Sequence, residues 1–333
     1  MVAPKSDGGL EVQHDVVTDK SDSIDAPDLV RFCDIEDLQA ASVEDGWDIC
    51  YRQLQAGKLS AQIGEATCAG ISALHERANR RLEICGATPA DHVTIMLGPM
   101  QGLMLVNGER LDRNGLFVAG PEIETQWLVT EDTRALSIHI PCSLFPDGGS
   151  NLLNNTRHGR ASDLAVINPN SASLTMARRA ITSILQQSVP DRSQTQFAED
   201  LAAHLHSIMT DHNECSEHDP KRIERWQTLR RAREYVDENI SERIRIEDVC
   251  AFCSTSLSRL ERVFRIEMNV TPTEYIRLSR LAAIQRELKN ATPGDTQVAR
   301  VAMDYGLNHL GRFSGAYRRQ FGESPSETLK LSV

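Results

Sequence analysis

Near its C-terminal end the chain carries the same helical pattern twice, about fifty residues apart, and each copy ends in a basic helix. The first copy, IEDVCAFCSTSLSRLERVFRIEMNVTP, runs from Ile246 to Pro272, and the second, VARVAMDYGLNHLGRFSGAYRRQFGESP, from Val298 to Pro325. Val249 corresponds to Val301, Leu260 to Phe313, Phe264 to Tyr317 and Pro272 to Pro325. The offset grows from 52 to 53 because the second turn holds one more residue. Such a repeat confines the region to an all-α module of two equivalent helix-turn-helix units. Two units on one rigid chain suit consecutive turns of a DNA major groove.

Helical spacing sorts each basic helix into two faces. In the first copy Leu257, Leu260, Val263 and Phe264 form a core face expected to pack on Val249 and Cys250. That leaves Ser258, Arg259, Glu261, Arg262 and Arg265 outward. In the second, Leu310, Phe313, Ala316, Tyr317 and Phe321 form the core face, with His309, Gly311, Arg312, Ser314, Gly315, Arg318 and Arg319 outward or partly so. An exposed Arg early in such a helix suits bidentate hydrogen bonding to guanine O6 and N7, and Glu261 suits cytosine N4. Gly311 and Gly315 leave room for close groove contact, and the late Arg318 and Arg319 are placed for phosphates. Gly306, after Tyr305, marks a turn that needs a left-handed backbone. Thr271-Pro272-Thr273-Glu274 and Ser324-Pro325-Ser326-Glu327 repeat one helix-start grammar: a capping hydroxyl, Pro at the first helical position and Glu at the third.

Charge separates this region from the rest. The whole chain has a net charge of −11, but residues 1–220 carry −16 and residues 221–333 carry +5. A basic module attached to an acidic partner fits nucleic-acid binding better than the whole-chain balance does. No apolar run reaches the length of a membrane span, and the acidic N-terminus lacks the pattern of a secretory signal. The eight cysteines, at 33, 50, 68, 85, 142, 215, 250 and 253, are scattered. They read as reduced thiols of a cytoplasmic protein.

In front of the module, residues 1–28 are poor in large apolar groups and read as disordered. Residues 45–145 read as many short strands, among them KLSAQIGEAT (58–67), HVTIMLG (92–98), GLMLVNG (102–108), GLFVAG (115–120), TQWLV (125–129) and ALSIHI (135–140). Strands at this spacing suggest a β-barrel or sandwich. Two helices follow, one with Leu174, Ala177, Ile181, Ile184 and Leu185 on a face, the other with Phe197, Leu201, Leu205, Ile208 and Met209. The polar stretch 211–221, ending just after a proline, reads as an interdomain connection. The expected organisation is α+β: a disordered start (1–28), a sensing domain (29–212), a linker (213–221) and the helical module (222–333).

The stretch DYGLNHLGRFSGAYRRQFGESPSETL resembles the signature of the AraC/XylS transcription factors over nearly its whole length. The resemblance implies two helix-turn-helix units joined by a long helix, here about Pro272 to Lys289. It assigns base contact to Ser258, Glu261 and Arg262 in the first unit and to Leu310, Gly311, Arg312, Ser314 and Gly315 in the second. One departure is Ser254, where the first turn usually has Gly. The second unit also has few long polar side chains, so shape readout is expected there. The family pairs this module with a cupin-like, barrel-shaped sensor and dimerisation helices, which the front two-thirds fits. It implies double-stranded promoter DNA as partner, a homodimer and contact with RNA polymerase. Asp45 to Pro141, with RRAREYVDENISE (230–242), also resembles the AraC-type ethanolamine regulators.

HERANRRLE (75–83) places Arg77, Arg80 and Arg81, with Asn79 between them, in an otherwise acidic region. Three guanidinium groups so close repel unless an anion shares them. The Arg77-x-x-x-Arg81 spacing is similar to the RxxxR motif of PilZ domains, and to AraC-like activators of the CuxR type, which respond to cyclic di-GMP. Arginine suits that messenger, since it bridges phosphates and stacks on guanine. Asp112 would supply a guanine acceptor and Arg113 another cation. The companion motif, Asp or Asn followed by x-Ser-x-x-Gly, is absent. On the combined AraC-like and RxxxR pattern, cyclic di-GMP is the expected effector, and a small amine the alternative.

Enzymatic readings do worse. A metal cupin needs a His-x-His with a nearby Glu and a later His, and His75, Glu76, His92 and His139 lack that spacing. His204 and His206 lie two apart on a helix and point to different faces. Cys250-x-x-Cys253 has no second pair and reads as packing. No nucleophile triad, P-loop or dinucleotide loop stands out, so neither metal nor organic cofactor is expected.

Overall fold

A computed structural model describes residues 29–44, 48–149, 164–211, 220–292, 294 and 296–331. The stretch 1–28 and most of the connection at 211–221 lie outside the described residues, apart from Asp211, which ends one helix, and Pro220 and Lys221, which start another. Among the described residues, twelve strands build two antiparallel sheets that face each other and do not close into one barrel. The seven-stranded sheet has the order β1 (Leu29–Phe32), β3 (Ala61–Cys68), β4 (Ile71–Ala78), β11 (Thr133–Pro141), β6 (His92–Gln101), β9 (Leu116–Ala119), β12 (Leu164–Ile167). The five-stranded sheet runs β2 (Asp48–Gln53), β5 (Leu82–Ala87), β10 (Glu124–Val129), β7 (Met104–Val106), β8 (Glu109–Leu111).

Alternation along the strands builds two cores from the larger sheet. One row, including Ile71, Ala73, Ile95, Leu136 and Ile138, packs under helices α2 (Ser171–Leu185) and α3 (Gln194–Asp211). Leu174, Ala177, Ile181, Ile184 and Leu185 of α2 are all buried there, as are Leu201, Leu205, Ile208 and Met209 of α3. The opposite row, including Ala61, Ala78, Met96 and Ala135, meets Tyr51, Leu82 and Trp127 of the smaller sheet. Helix α1 (Ile35–Glu44) adds Ile35 and Leu38 to that interior. Such alternation makes each strand of the smaller sheet a wall one residue thick.

The C-terminal part is all helical: α4 (Pro220–Glu238), α5 (Ile246–Phe252), α6 (Leu257–Met268), α7 (Pro272–Lys289), α8 (Val298–Asp304), α9 (Leu310–Phe321) and α10 (Pro325–Leu331). Leu260, Val263 and Phe264 pack with Val249, Leu229 and Tyr275. Phe313, Tyr317 and Phe321 pack with Val301, Leu281 and Leu288. Helix α7 therefore serves both cores and is buried on several sides. Leu257 departs from its expected core position, since it is 47% exposed. It opens α6 directly after its N-cap Ser256, ahead of the packed span that begins at Leu260. The Ser324 start forms the full reciprocal box, with Ser324 N–H donating to Glu327 (2.7 Å) and Glu327 N–H to Ser324 Oγ (3.3 Å). At the other start Thr271 Oγ1 caps Glu274 N–H (3.1 Å), while the Glu274 carboxylate turns to Arg277 (3.6 Å). No described helix is long and apolar enough to cross a membrane.

Candidate nucleic-acid interface and effector cavity

Each turn between paired helices depends on one left-handed residue, Ser254 (φ 52°) in the first unit and Gly306 (φ 74°) in the second. A serine there costs roughly 1–2 kcal/mol that glycine avoids. Beyond each turn the expected face is open. Ser258, Arg259, Glu261 and Arg262 of α6 are exposed, as is Arg265. His309, the N-cap of α9, and Gly311, Arg312, Ser314, Arg318 and Arg319 are exposed too, with Gly315 and Leu310 half-buried. Arg259 makes an ion pair with Glu224 of α4, and both side chains are about half exposed. Such a surface pair contributes about 0–1 kcal/mol and does not withhold Arg259 from a phosphate or base.

Gly311 and Gly315 serve no packing purpose inside the molecule. A Cβ at Gly311 would meet nothing within 4 Å, and one at Gly315 only the Arg319 guanidinium at 3.6 Å. Glycine inside a helix costs about 1 kcal/mol relative to alanine. The smooth strip they form is thus suited to something that approaches from outside.

The helical module is docked on the outer face of the smaller sheet, and this joint was not legible in the sequence. Its centre is Glu83 of β5, which is 1% exposed. Arg233 Nε lies 2.6 Å from Glu83 Oε1, and Arg52 Nη1 lies 2.9 Å from Oε2. The Tyr275 hydroxyl donates to Oε2 (3.0 Å), and Gln126 Nε2 donates to Oε1. Burial alone would raise the Glu83 carboxyl, but Arg233 and Arg52 outweigh it and hold it below the ordinary range. Arg52 also reaches Asp237 (2.7 Å). At one flank Lys289 and Gln285 hold Asp34 (3.3 and 2.9 Å), and Arg286 holds Glu36 (3.2 Å). At the other, Gln53 and Gln320 exchange side-chain to main-chain bonds (2.9 and 2.8 Å), and Gly57 N–H donates to Arg319 O (2.9 Å).

The inner face of the same sheet lines a cavity of about 110 Å³ between the two sheets. Its walls are mostly apolar and include Tyr51, Leu74, Ile84 and Trp127, with Glu76, Arg77 and His139 among the ionisable residues that line it. Burial, with no charge to offset it, pushes the Glu76 carboxyl up to about 7. Burial and His92 push His139 down to about 3, so its ring is neutral. Thr94 Oγ1 is 3.2 Å from His139 Nδ1. Among the described residues, no group of His, Cys, Asp and Glu is arranged to hold a metal ion.

The arginine cluster divides. Arg77 is exposed on the face of β4 that carries Ile71, Ala73 and His75, and Arg134 of β11 is its direct partner. His75 is 7% exposed, neither ring nitrogen has a hydrogen bond, and burial, then Arg134 and Arg77, lower its pKa. Arg80 lies against the Gly57 backbone and donates to Asn79 O (3.1 Å). Asn79 braces the β3 entry through Ser60 N–H (2.7 Å). Arg81 faces Glu131 at 3.8 Å. Asp112 and Arg113 lie in the β8–β9 turn, where Arg110 holds the Asp112 carboxylate (2.6 Å) and Arg178 donates to Arg113 O (2.8 Å). In sheet order β11 and β6 stand between β4 and β9.

Tandem helix-turn-helix units with open, arginine-bearing second helices have the form of a DNA-binding module. A helix-turn-helix domain model matches residues 249–331. Over 98 residues the chain is 37% identical to XylDLEGF operon transcriptional activator 2 of Pseudomonas putida, covering 29% of this chain and 62% of that protein. It is 33% identical over 94 residues to regulatory protein SoxS of Salmonella typhimurium, covering 28% of this chain and 85% of that one. Among solved structures it is similar to the AraC-like transcriptional activator CuxR (14% identity, TM-score 0.44, covering 80% of this chain and 98% of that one). Another is a probable AraC family transcriptional regulator from Rhodopseudomonas palustris (32% identity, TM-score 0.30, covering 32% and 96%). The chain belongs to the AraC/XylS family of transcription regulators. It spans 62% of the length of the first Pseudomonas activator and about a third of the next ones (32%).

Proposed function

We propose that this chain is a ligand-responsive regulator, in the manner of an activator, whose paired sheets sense a small molecule and whose helical module binds double-stranded promoter DNA. One observation carries the reading. Tyr51 and Ile84 line the cavity, while Arg52 and Glu83, their neighbours along the same two strands, hold α4 and α7. A ligand that displaces the inner row displaces the outer row, because the wall is a single strand layer. A ligand that binds one arrangement of the joint more tightly shifts the population toward it.

The cavity favours a compact effector with an apolar body and an ammonium group. An uncompensated buried carboxyl is costly when ionised, and a bound cation removes that cost. Base contact is assigned to Ser258, Glu261, Arg262, Arg312 and Ser314, close groove approach to Gly311 and Gly315, and phosphate contact to Arg259, His309, Arg318 and Arg319. The reading includes a cytoplasmic homodimer formed through α2 and α3 and contact with RNA polymerase.

A second reading takes cyclic di-GMP as effector, held by Arg77, Arg80 and Arg81 with Asn79, Asp112 and Arg113. It is favoured by the like-charged Arg77–Arg134 pair, which is destabilising unless an anion lies between them, and by the partnerless His75 beside it.

Thermal melts with a series of primary amines and with cyclic di-GMP separate the two. A ligand at a hundred times its dissociation constant adds about 2.7 kcal/mol. Stabilisation by an amine, lost in Glu76→Gln and retained in Arg77→Ala, supports the cavity. The opposite pattern supports the dinucleotide. No shift with either class overturns both assignments, and no binding to any duplex at low salt overturns the regulator reading itself.

A further inference from the structure

The joint carries two cysteines that the functions above do not use. Cys50 of β2 and Cys85 of β5 are direct partners across the antiparallel pair. Opposed residues in such a pair hold their Cα atoms about 4.5–5.5 Å apart, inside the roughly 4.4–6.8 Å that a disulfide spans. Both lie in the outer rows that carry Arg52 and Glu83, and both are half-buried. Each sulfur meets a guanidinium of the helical module. Arg286 Nη2 is 3.5 Å from Cys50 Sγ, and Arg233 Nη2 is 2.7 Å from Cys85 Sγ. Among the described residues, no other two cysteines face each other across a strand pair.

We propose that Cys50 and Cys85 form a peroxide-responsive dithiol that closes to a disulfide between β2 and β5, at the seat of the DNA-binding module. The Cys50 thiolate attacks a peroxide oxygen and breaks the O–O bond. Its sulfur becomes a sulfenic acid, and the departing hydroxide takes up a proton as water. The Cys85 thiolate then attacks that sulfur, forms the S–S bond and expels a second hydroxide, which also leaves as water. The two thiols lose two electrons and two protons, and the peroxide is reduced to water. Each attack requires a thiolate, and each sulfur has a guanidinium group beside it. Burial and then Glu83 push the Cys85 thiol up, while Arg233 beside it acts in the opposite direction, towards the thiolate that the second step uses. Closing the bond turns both sulfurs away from Arg233 and Arg286 and so alters how α4 and α7 sit on the sheet.

The test uses the full chain, treated with a stoichiometric amount of hydrogen peroxide, alkylated and digested. The expected product is a Cys50–Cys85 linked peptide pair, with the intact protein two hydrogens lighter and dithiothreitol restoring the original mass. Cys85→Ser should trap a dimedone-reactive sulfenic acid on Cys50, while Cys50→Ser should leave Cys85 reduced. Circular-dichroism melts establish that both variants are folded. Full alkylation of both cysteines after peroxide treatment, or a disulfide mapped to other positions, would overturn the proposal.

Discussion

Glu76→Gln probes the interior cavity without altering its shape. Folding moves the Glu76 carboxyl from 4.5 to about 7 through burial. Ionising it inside the folded protein therefore costs on the order of 3 kcal/mol. The folded state holds the proton more tightly than the unfolded chain does. Stability of the wild-type protein must then fall as pH rises from 4.5 towards 7, and the full penalty applies above that. Glutamine stays neutral and escapes it. Urea unfolding should find the two proteins within error of each other near pH 4. At pH 8 Glu76→Gln should be more stable by up to about 3 kcal/mol. A cation bound against the carboxylate should close that gap. The reasoning fails if the difference between the proteins is independent of pH, or if wild type is the more stable at pH 8.

Three further outcomes follow from the joint and the DNA face. Glu83→Ala leaves Arg233 and Arg52 buried without their carboxylate, and should destabilise the protein by about 3–5 kcal/mol in chemical denaturation; a loss under 1 kcal/mol would show that the network does not hold the joint. Gly315→Ala should stabilise α9 by up to about 1 kcal/mol yet weaken DNA affinity, a split visible by comparing melts with fluorescence anisotropy; unchanged affinity would remove Gly315 from the interface. Arg262→Ala should cost about 1–3 kcal/mol of specific binding with little change in non-specific binding, and equal losses on both would assign it to phosphate instead.

The two recognition helices were legible because period, duplicated register and capping residues agree over a long stretch. Leu257 was misplaced for a reason that periodicity cannot supply: the spacing names a face, not where along the helix the packing begins. The joint was hidden because its partners are far apart in sequence. Arg233 is 150 residues from Glu83, and a charged residue alternating with Leu82 and Ile84 reads as solvent-facing. The cavity was hidden as well. Alternation tells which side chains point between the sheets, but not whether they fill the space.

Footprinting on a duplex selected from a random pool tests the tandem-reader account most directly. One molecule should protect two major-groove segments on one face of the helix, about 10 base pairs apart. Arg262→Ala should erase only the segment read by α6, and Arg312→Ala only the one read by α9. A single protected groove, or two segments lost together in either variant, would contradict two separate reading heads.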